Sequence, residues 1–338
     1  MYYANNDVRV EDTPRPEIGP GELLLRVQAS GICGSDVMEW YRRDRVPLVL
    51  GHEVAGVIEQ VGAGVKKYKI GQRIACSHHV PCGKCHYCIS GHETVCETLR
   101  KTNFYPGGFA EFVRLPEINV ESGVYPLPGG VSFEEATFIE PLACVLRAQR
   151  LSGVKKNQTV LVIGSGISGL LHIQMARVNG ADRIAATDIS DYRLKTAKKV
   201  GADFVFTAGD YNSQKLRDIN NGFLVDTVIL CAGADSAILQ ALESVERGGI
   251  ILFFSAAGEG AKLPWDINKI FWRTEITLIS SYAATPKEHL QALALIRRKK
   301  INVRDMITHR LSLAEAQKGF QLVAEAKDSI KVIVEPQR

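Results

Sequence analysis

Three groups of side chains have types and spacings that suit chemistry. The densest is Cys82, Cys85, Cys88 and Cys96, a C-x2-C-x2-C-x7-C run. Zinc takes tetrahedral sets of thiolate, imidazole and carboxylate, and four thiolates leave no position for water or substrate. The run is therefore expected to hold a structural zinc ion, with His86 and His92 inside it as bystanders. Three interlocked cysteines with a fourth at loop distance suit a redox C-x-x-C pair poorly. The second group is scattered: Cys33 in GICGSD, His52 and Glu53 in GHEVAG, and Glu140 in FIEPLAC. A cysteine, a histidine and a carboxylate make a three-ligand set with one open position, which a catalytic zinc requires. Singly, each is more often packing.

The third group is Gly164, Gly166 and Gly169, a G-x-G-x-x-G enclosing Ile167 and Ser168. It follows the apolar run TVLVI and opens the helical segment SGLLHIQMARVNGA. Such glycines permit a tight turn and let the backbone and the helix N-terminus approach a pyrophosphate. An acidic residue is expected about 20 positions on, and Asp188 stands at the end of the next apolar run. A carboxylate there accepts from a ribose diol and repels a 2′-phosphate, favouring NAD over NADP. Arg193 either flanks the adenosine or sits on the helix surface.

The elements that must position these groups differ along the chain. Residues 1 to about 135 read as short apolar runs split by glycines, a β-rich pattern. PLPGGVSFEEA links into a helix whose first turn holds Glu134 and Glu135. From about residue 158, apolar runs at TVLVI, RIAATD, FVF, VDTVILCAG, GIILFFS and EITLISS mostly alternate with helical segments. That alternation predicts an α/β fold with a doubly wound parallel sheet. A last helix, SLAEAQKGFQLVAEA, and a last strand, IKVIVE, need not belong to that sheet.

Composition sets the outer bounds. The 338 residues are 46% hydrophobic and 23% charged, which excludes a disordered or coiled-coil chain. A net charge of +4 gives no reason to expect nucleic acid or an acidic membrane. Arg42, Arg43 and Arg45 read as a solvated basic loop, and the run Arg297–Lys300 as a helix end. No apolar run reaches the ~20 residues of a membrane span, and MYYANNDVRVED lacks the features of a signal peptide. A cytoplasmic protein is expected, where clustered cysteines bind metal rather than pair. Cys76, Cys144 and Cys231 read as small buried side chains.

GICGSD, GHEVAGVIEQVGAGV, the four-cysteine loop, GGFAEFV, IEPLAC and VLVIGSGISGLLHIQMARVNGA span nearly the whole chain. Together they resemble zinc-dependent medium-chain dehydrogenases, and within them the sorbitol/L-iditol (polyol) branch. The resemblance implies a GroES-like β-rich catalytic domain over 1–140, completed by 286–338, and a Rossmann NAD-binding domain over 141–285. It implies that Cys33, His52 and Glu53 hold a catalytic zinc. Glu140 stands where alcohol dehydrogenases carry a cysteine ligand; it binds the metal directly, through water, or in alternation with Glu53. Ser35 matches the hydroxyl that starts a proton relay from the substrate alcohol, and Asp36 the carboxylate that orients His52. FFSAAG and SSYAAT are expected beside the nicotinamide.

The implied activity is hydride transfer between a polyol, cyclitol or sugar alcohol and NAD, giving a ketone, with one catalytic and one structural zinc. L-threonine and sugar-alcohol phosphates are the alternative substrates. A non-catalytic binding module would be expected to lack one of the metal-binding groups. A homodimer or homotetramer joined near EITLISSYA is also implied.

Overall fold

The computed structural model describes residues 1–262 and 266–338. The chain divides into two compact units, Met1–Ala143 with Ala283–Arg338, and Cys144–Tyr282. In chain order the first unit begins with a hairpin of β1 (Tyr2–Ala4) and β2 (Asp7–Val8). It continues with β3 (Leu23–Gly31), β4 (Glu53–Val61), β5 (Arg73–Ser77), β6 (Phe112–Leu115) and β7 (Val124–Pro126). The second unit holds β8 (Thr159–Ile163), β9 (Arg183–Asp188), β10 (Phe204–Thr207), β11 (Val225–Leu230), β12 (Val245–Phe253) and β13 (Thr277–Ser280). The chain then returns to the first unit with β14 (Ile307–Ser312) and β15 (Lys331–Glu335).

The first unit is built on a mixed seven-stranded sheet in the order β14-β15-β3-β4-β5-β7, with β6 paired to β3. Leu23, Leu25, Val27, Ile58, Ile74 and Val113 pack into one core. Ile32, Leu50, Phe109, Phe320 and Val332 form another. Each such side chain contributes roughly 1.5–3 kcal/mol of apolar burial. Register matters more here than core size. The antiparallel β3/β4 pair sets Gly31 opposite Glu53, and the β15/β3 pair sets Ile333 opposite Gly31. The end of β3, the start of β4 and the C-terminal strand therefore meet at one place.

The second unit is a six-stranded parallel sheet in the order β10-β9-β8-β11-β12-β13. Its central strand β8 is buried along its length, as a continuous apolar run requires. The order reverses beside β8, and in such sheets ligands bind beyond the strand ends at that reversal. The alternation read from the sequence is realised here. The final helix, Ala316–Glu325, and β15 lie in the first unit. That helix begins later than the periodicity suggests, because Ser312 and Glu315 form a capping box around a 3-10 turn, Leu313–Glu315. Among the described residues no helix is long and apolar enough to cross a membrane.

Candidate metal centres and nucleotide-binding turn

Cys33 follows β3, and His52 and Glu53 stand at the entry to β4, so the sheet register brings together residues far apart in sequence. One ligand atom each from Cys33, His52 and Glu53 lies within 4.8 Å of the others. Soft thiolate, imidazole and carboxylate at that separation suit zinc. Glu140 falls outside this trio; it sits half-buried in the first turn of the helix Ile139–Ser152.

A 3-10 turn, Gly34–Val37, carries Ser35 and Asp36 directly behind Cys33. Asp36 is fully buried; its Oδ2 accepts the Cys33 N–H at 3.0 Å, and its Oδ1 lies 3.4 Å from Nδ1 of His52. Burial alone would push both groups toward neutrality. The pairing outweighs it: His52, the Cys33 N–H and Arg42 hold Asp36 below the usual carboxylate range. Asp36 and Cys33 hold His52 well above the usual imidazole value. Arg42 departs from the sequence reading of a solvated loop. Its guanidinium donates to Ser35 O at 3.1 and 3.3 Å and lies 3.6 Å from Asp36, with the side chain 12% exposed. Ser35 itself is half-buried, its N–H donating to Cys33 Sγ at 3.5 Å.

Two further neighbours gave no signal in the sequence. Glu53 forms a fully buried ion pair with Lys331, the first residue of β15. The His78 ring lies 4.9 Å from that of His52 and 3.7 Å from that of His79, measured between centroids. Burial, then the neighbouring imidazoles, push His78 well below its usual pKa; burial and His52 push His79 down to about 4. Asn119 Nδ2 fixes the backbone here by donating to Ser77 O and His78 O, both at 2.9 Å.

The four-cysteine loop gathers its thiols as free groups. Sγ separations are 3.6 Å for Cys85–Cys88 and Cys96–Cys82, and 4.0 Å for Cys82–Cys88. A zinc ion bonded to sulfur at about 2.3 Å in a tetrahedron separates sulfurs by about 3.8 Å, so the set fits the ion. Backbone N–H groups of Lys84 and Cys85 point at Cys82 and lower its pKa. Burial opposes thiolate formation at Cys96, but N–H groups of Cys82, Leu99 and Thr98 bring it to about 6. Donors aimed at sulfur are what a metal thiolate needs. His86 and His92 are exposed and outside the set. Of the remaining cysteines, Cys76 is buried as expected, whereas Cys144 and Cys231 are half-buried.

In the second unit, Gly164 follows β8 with φ of 91°, which favours glycine, and a Cβ there would press on Cys231 backbone at 3.0 Å. A Cβ on Gly169 would collide with Gly164 O. Gly166 caps the helix Ile167–Val178 without a side-chain bond, so the N–H groups of that first turn, which includes Ile167 and Ser168, face no capping side chain. Asp188 ends β9; its Oδ2 accepts Ser165 N–H at 2.6 Å and its Oδ1 accepts Ser190 N–H at 2.9 Å. A carboxylate has about four acceptor sites, so capacity remains for a ribose diol. Arg193 lies over the turn, Nη1 being 3.8 Å from where a Gly166 Cβ would stand. FFSAAG and SSYAAT begin at the last residues of β12 and β13.

Residues 19–128 match the alcohol dehydrogenase GroES-like domain family, and residues 168–298 the zinc-binding dehydrogenase family. The chain is 32% identical to an L-threonine 3-dehydrogenase of Rhizobium etli, over 96% of this chain and 94% of that one. It is also 32% identical to the sorbitol dehydrogenase of Mus musculus, over 99% of this chain and 94% of the relative. A Sinorhizobium meliloti protein assigned as a zinc-binding dehydrogenase and crystallised with NADP superposes with a TM-score of 0.87 at 29% identity. That alignment covers 99% of this chain and 97% of the neighbour.

Proposed function

The chain belongs to the zinc-dependent medium-chain alcohol dehydrogenase family, in the branch of the sorbitol dehydrogenases, and from that premise we propose how its residues divide the work. It is an oxidoreductase that moves a hydride between a small polar secondary alcohol and a nicotinamide cofactor, giving the ketone. The observation that carries the site assignment is the Cys33–His52–Glu53 trio with Asp36 behind it.

When bound, zinc lowers the pKa of the substrate hydroxyl and NAD accepts the hydride. Cys33, His52 and Glu53 would hold that zinc, with Glu140 as the alternative carboxylate. Asp36 Oδ1 stands 3.4 Å from Nδ1 of His52, so the carboxylate would orient the ring with Nε2 left for the metal. Ser35 takes the hydroxyl proton onward, its position held by Arg42 at its carbonyl. The glycine turn and its helix N-terminus receive the pyrophosphate, and Asp188 the ribose hydroxyls, giving NAD preference over NADP. Cys82, Cys85, Cys88 and Cys96 hold a second zinc without chemistry. The thiols at those positions suit a reducing compartment, which is where we place the protein. Among the described residues β13 stands at the edge of its sheet, where a second copy would pair, so a dimer or tetramer is assigned.

Polyols are the substrate class best supported. His78 and His79, held neutral beside His52, offer uncharged donors and acceptors to hydroxyls. L-threonine is the second reading, because threonine dehydrogenases match at the same identity as sorbitol dehydrogenases. Initial rates with secondary alcohols, polyols, cyclitols, their phosphates and threonine decide between them, with NAD and with NADP, before and after chelation. Turnover of polyols that chelation abolishes supports the proposal. Threonine as the sole good substrate replaces the polyol reading, and rates indifferent to chelation refute the zinc role.

A further inference from the structure

Lys331 is a lysine with no solvent exposure, and Glu53, its partner, is 1% exposed. The two lie 278 residues apart and meet only through sheet register. Gly31, the last residue of β3, faces Glu53 on β4 and Ile333 on β15 and supplies the room. A Cβ at Gly31 would collide with Glu53 Oε2 and with the Cε and Nζ of Lys331, so the ion pair fills the space of the missing side chain. Nζ bonds Glu53 Oε2, lies 3.4 Å from Ile32 O and sits 5.6 Å from the centre of the Phe138 ring. This is a built position rather than a stray contact, and its anion is one of the three candidate zinc ligands.

A buried carboxylate needs a cation or hydrogen-bond donors to offset its lost hydration, and breaking a buried ion pair by removing one member is strongly destabilising. Here two cations would claim the same carboxylate: the ammonium already on Oε2, and the zinc ion that Cys33 and His52 would hold. We propose that Lys331 is a positioning residue that competes with the catalytic zinc for Glu53, weakening that carboxylate's hold on the metal and so keeping a coordination position available to the substrate alcohol. The inference rests on the reading of Cys33, His52 and Glu53 as zinc ligands. In the metal-free protein Lys331 neutralises Glu53. With zinc bound, Glu53 would be shared between the metal and the ammonium already on its Oε2.

The test is zinc affinity measured by chelator competition on the full chain, with thermal melting of the zinc-loaded and zinc-stripped forms. Lys331→Met removes the ammonium and keeps most of the stem; Lys331→Gln serves if the first variant does not fold. The expected result is tighter zinc at the Cys33 site, by about 10–100-fold, with a lower melting temperature for the stripped form only. A shifted visible spectrum of the cobalt-substituted protein and a reduced kcat should accompany it. In a Glu53→Gln background the effect of Lys331→Met on affinity should vanish. Unchanged or weaker zinc binding, equal destabilisation of both forms, or an effect that persists without the Glu53 charge would overturn the inference. Cys33→Ala separates this from the underlying reading: if it leaves total zinc unchanged, the metal site itself is wrong. If it removes one zinc while Lys331→Met leaves affinity alone, only the role of Lys331 fails.

Discussion

Nδ1 of His52 lies 3.4 Å from Oδ1 of Asp36, a carboxylate with no solvent exposure. The second oxygen of that carboxylate is held by the Cys33 N–H at 3.0 Å. One buried side chain thus orients an imidazole and fixes the backbone of the neighbouring thiol, linking two candidate ligands from the end of β3 and the approach to β4.

Asp36→Asn tests that link. The amide can accept one of the two donors, and its NH2 then meets an N–H where an acceptor is needed. Zinc affinity at the Cys33 site and kcat/KM should both fall by about 10–100-fold. Zinc at the four-cysteine loop should be retained. Chelator competition and initial rates measure this; unchanged values for both would refute the orienting role.

The two zinc sites should fail independently. Cys33→Ala should cost one zinc per chain and nearly all activity, with little change in melting temperature beyond the lost metal linkage. Cys82→Ser should cost the other zinc and lower the melting temperature. A closed site contributes folding energy outright, whereas the open one serves chemistry. Metal analysis of both variants, read against the wild type, decides it. Loss of both ions in either variant would mean that the sites are not separate.

The local part of the site is legible in the sequence because it is written in short spacings. The cysteine run and the glycine turn each lie on one short segment, so their types and intervals carry the signal. The alternation of apolar runs and helices announces the parallel sheet in the same way. Cys33, His52 and Glu53 were visible only as a loose set, credible once the dinucleotide motif and the family resemblance stood beside them. Lys331, Arg42 and His78 were silent. Lys331 reaches Glu53 through the pairing of β15 with β3 and of β3 with β4, a relation with no sequence period. Arg42 reads as loop charge until the turn folds it onto Ser35 O. Its burial is a tertiary fact.

Asp188 has a second task that the motif does not announce, and it sharpens the cofactor test. Its carboxylate ties the glycine turn, through Ser165 N–H, to the end of β9. Asp188→Asn removes the charge and keeps one acceptor. The NAD/NADP ratio of kcat/KM should drop by about 10-fold or more, as each lost charge-assisted hydrogen bond contributes about 1.5–3 kcal/mol. KM should rise for both cofactors, because the turn is loosened. A wild-type protein that already prefers NADP would show that Asp188 serves only the turn.

His172 supplies a pH prediction away from either metal. It is fully buried in the helix Ile167–Val178, beside Gln149, whose Nε2 is 3.2 Å from its Nδ1, and edge-on to Phe254. Burial brings its pKa down from 6.5 to about 3. The unfolded chain takes up a proton near pH 6.5, while the folded one stays neutral until about pH 3. Between those values the unfolded state binds more protons, so stability falls as the pH falls, and above them this residue adds no pH dependence. The slope from one such group is at most about 1.4 kcal/mol per pH unit. His289, lowered to about 4 by burial, acts in the same direction. Urea unfolding of zinc-loaded protein, followed from pH 7.5 down to the acid limit of metal retention (pH values about one unit either side of the unfolded His value of ~6.5 suffice), should show this decline. His172→Gln should flatten it while lowering stability at neutral pH. An unchanged slope in the variant would place the acid sensitivity elsewhere, because the proton that unfolding takes up would then not belong to this ring.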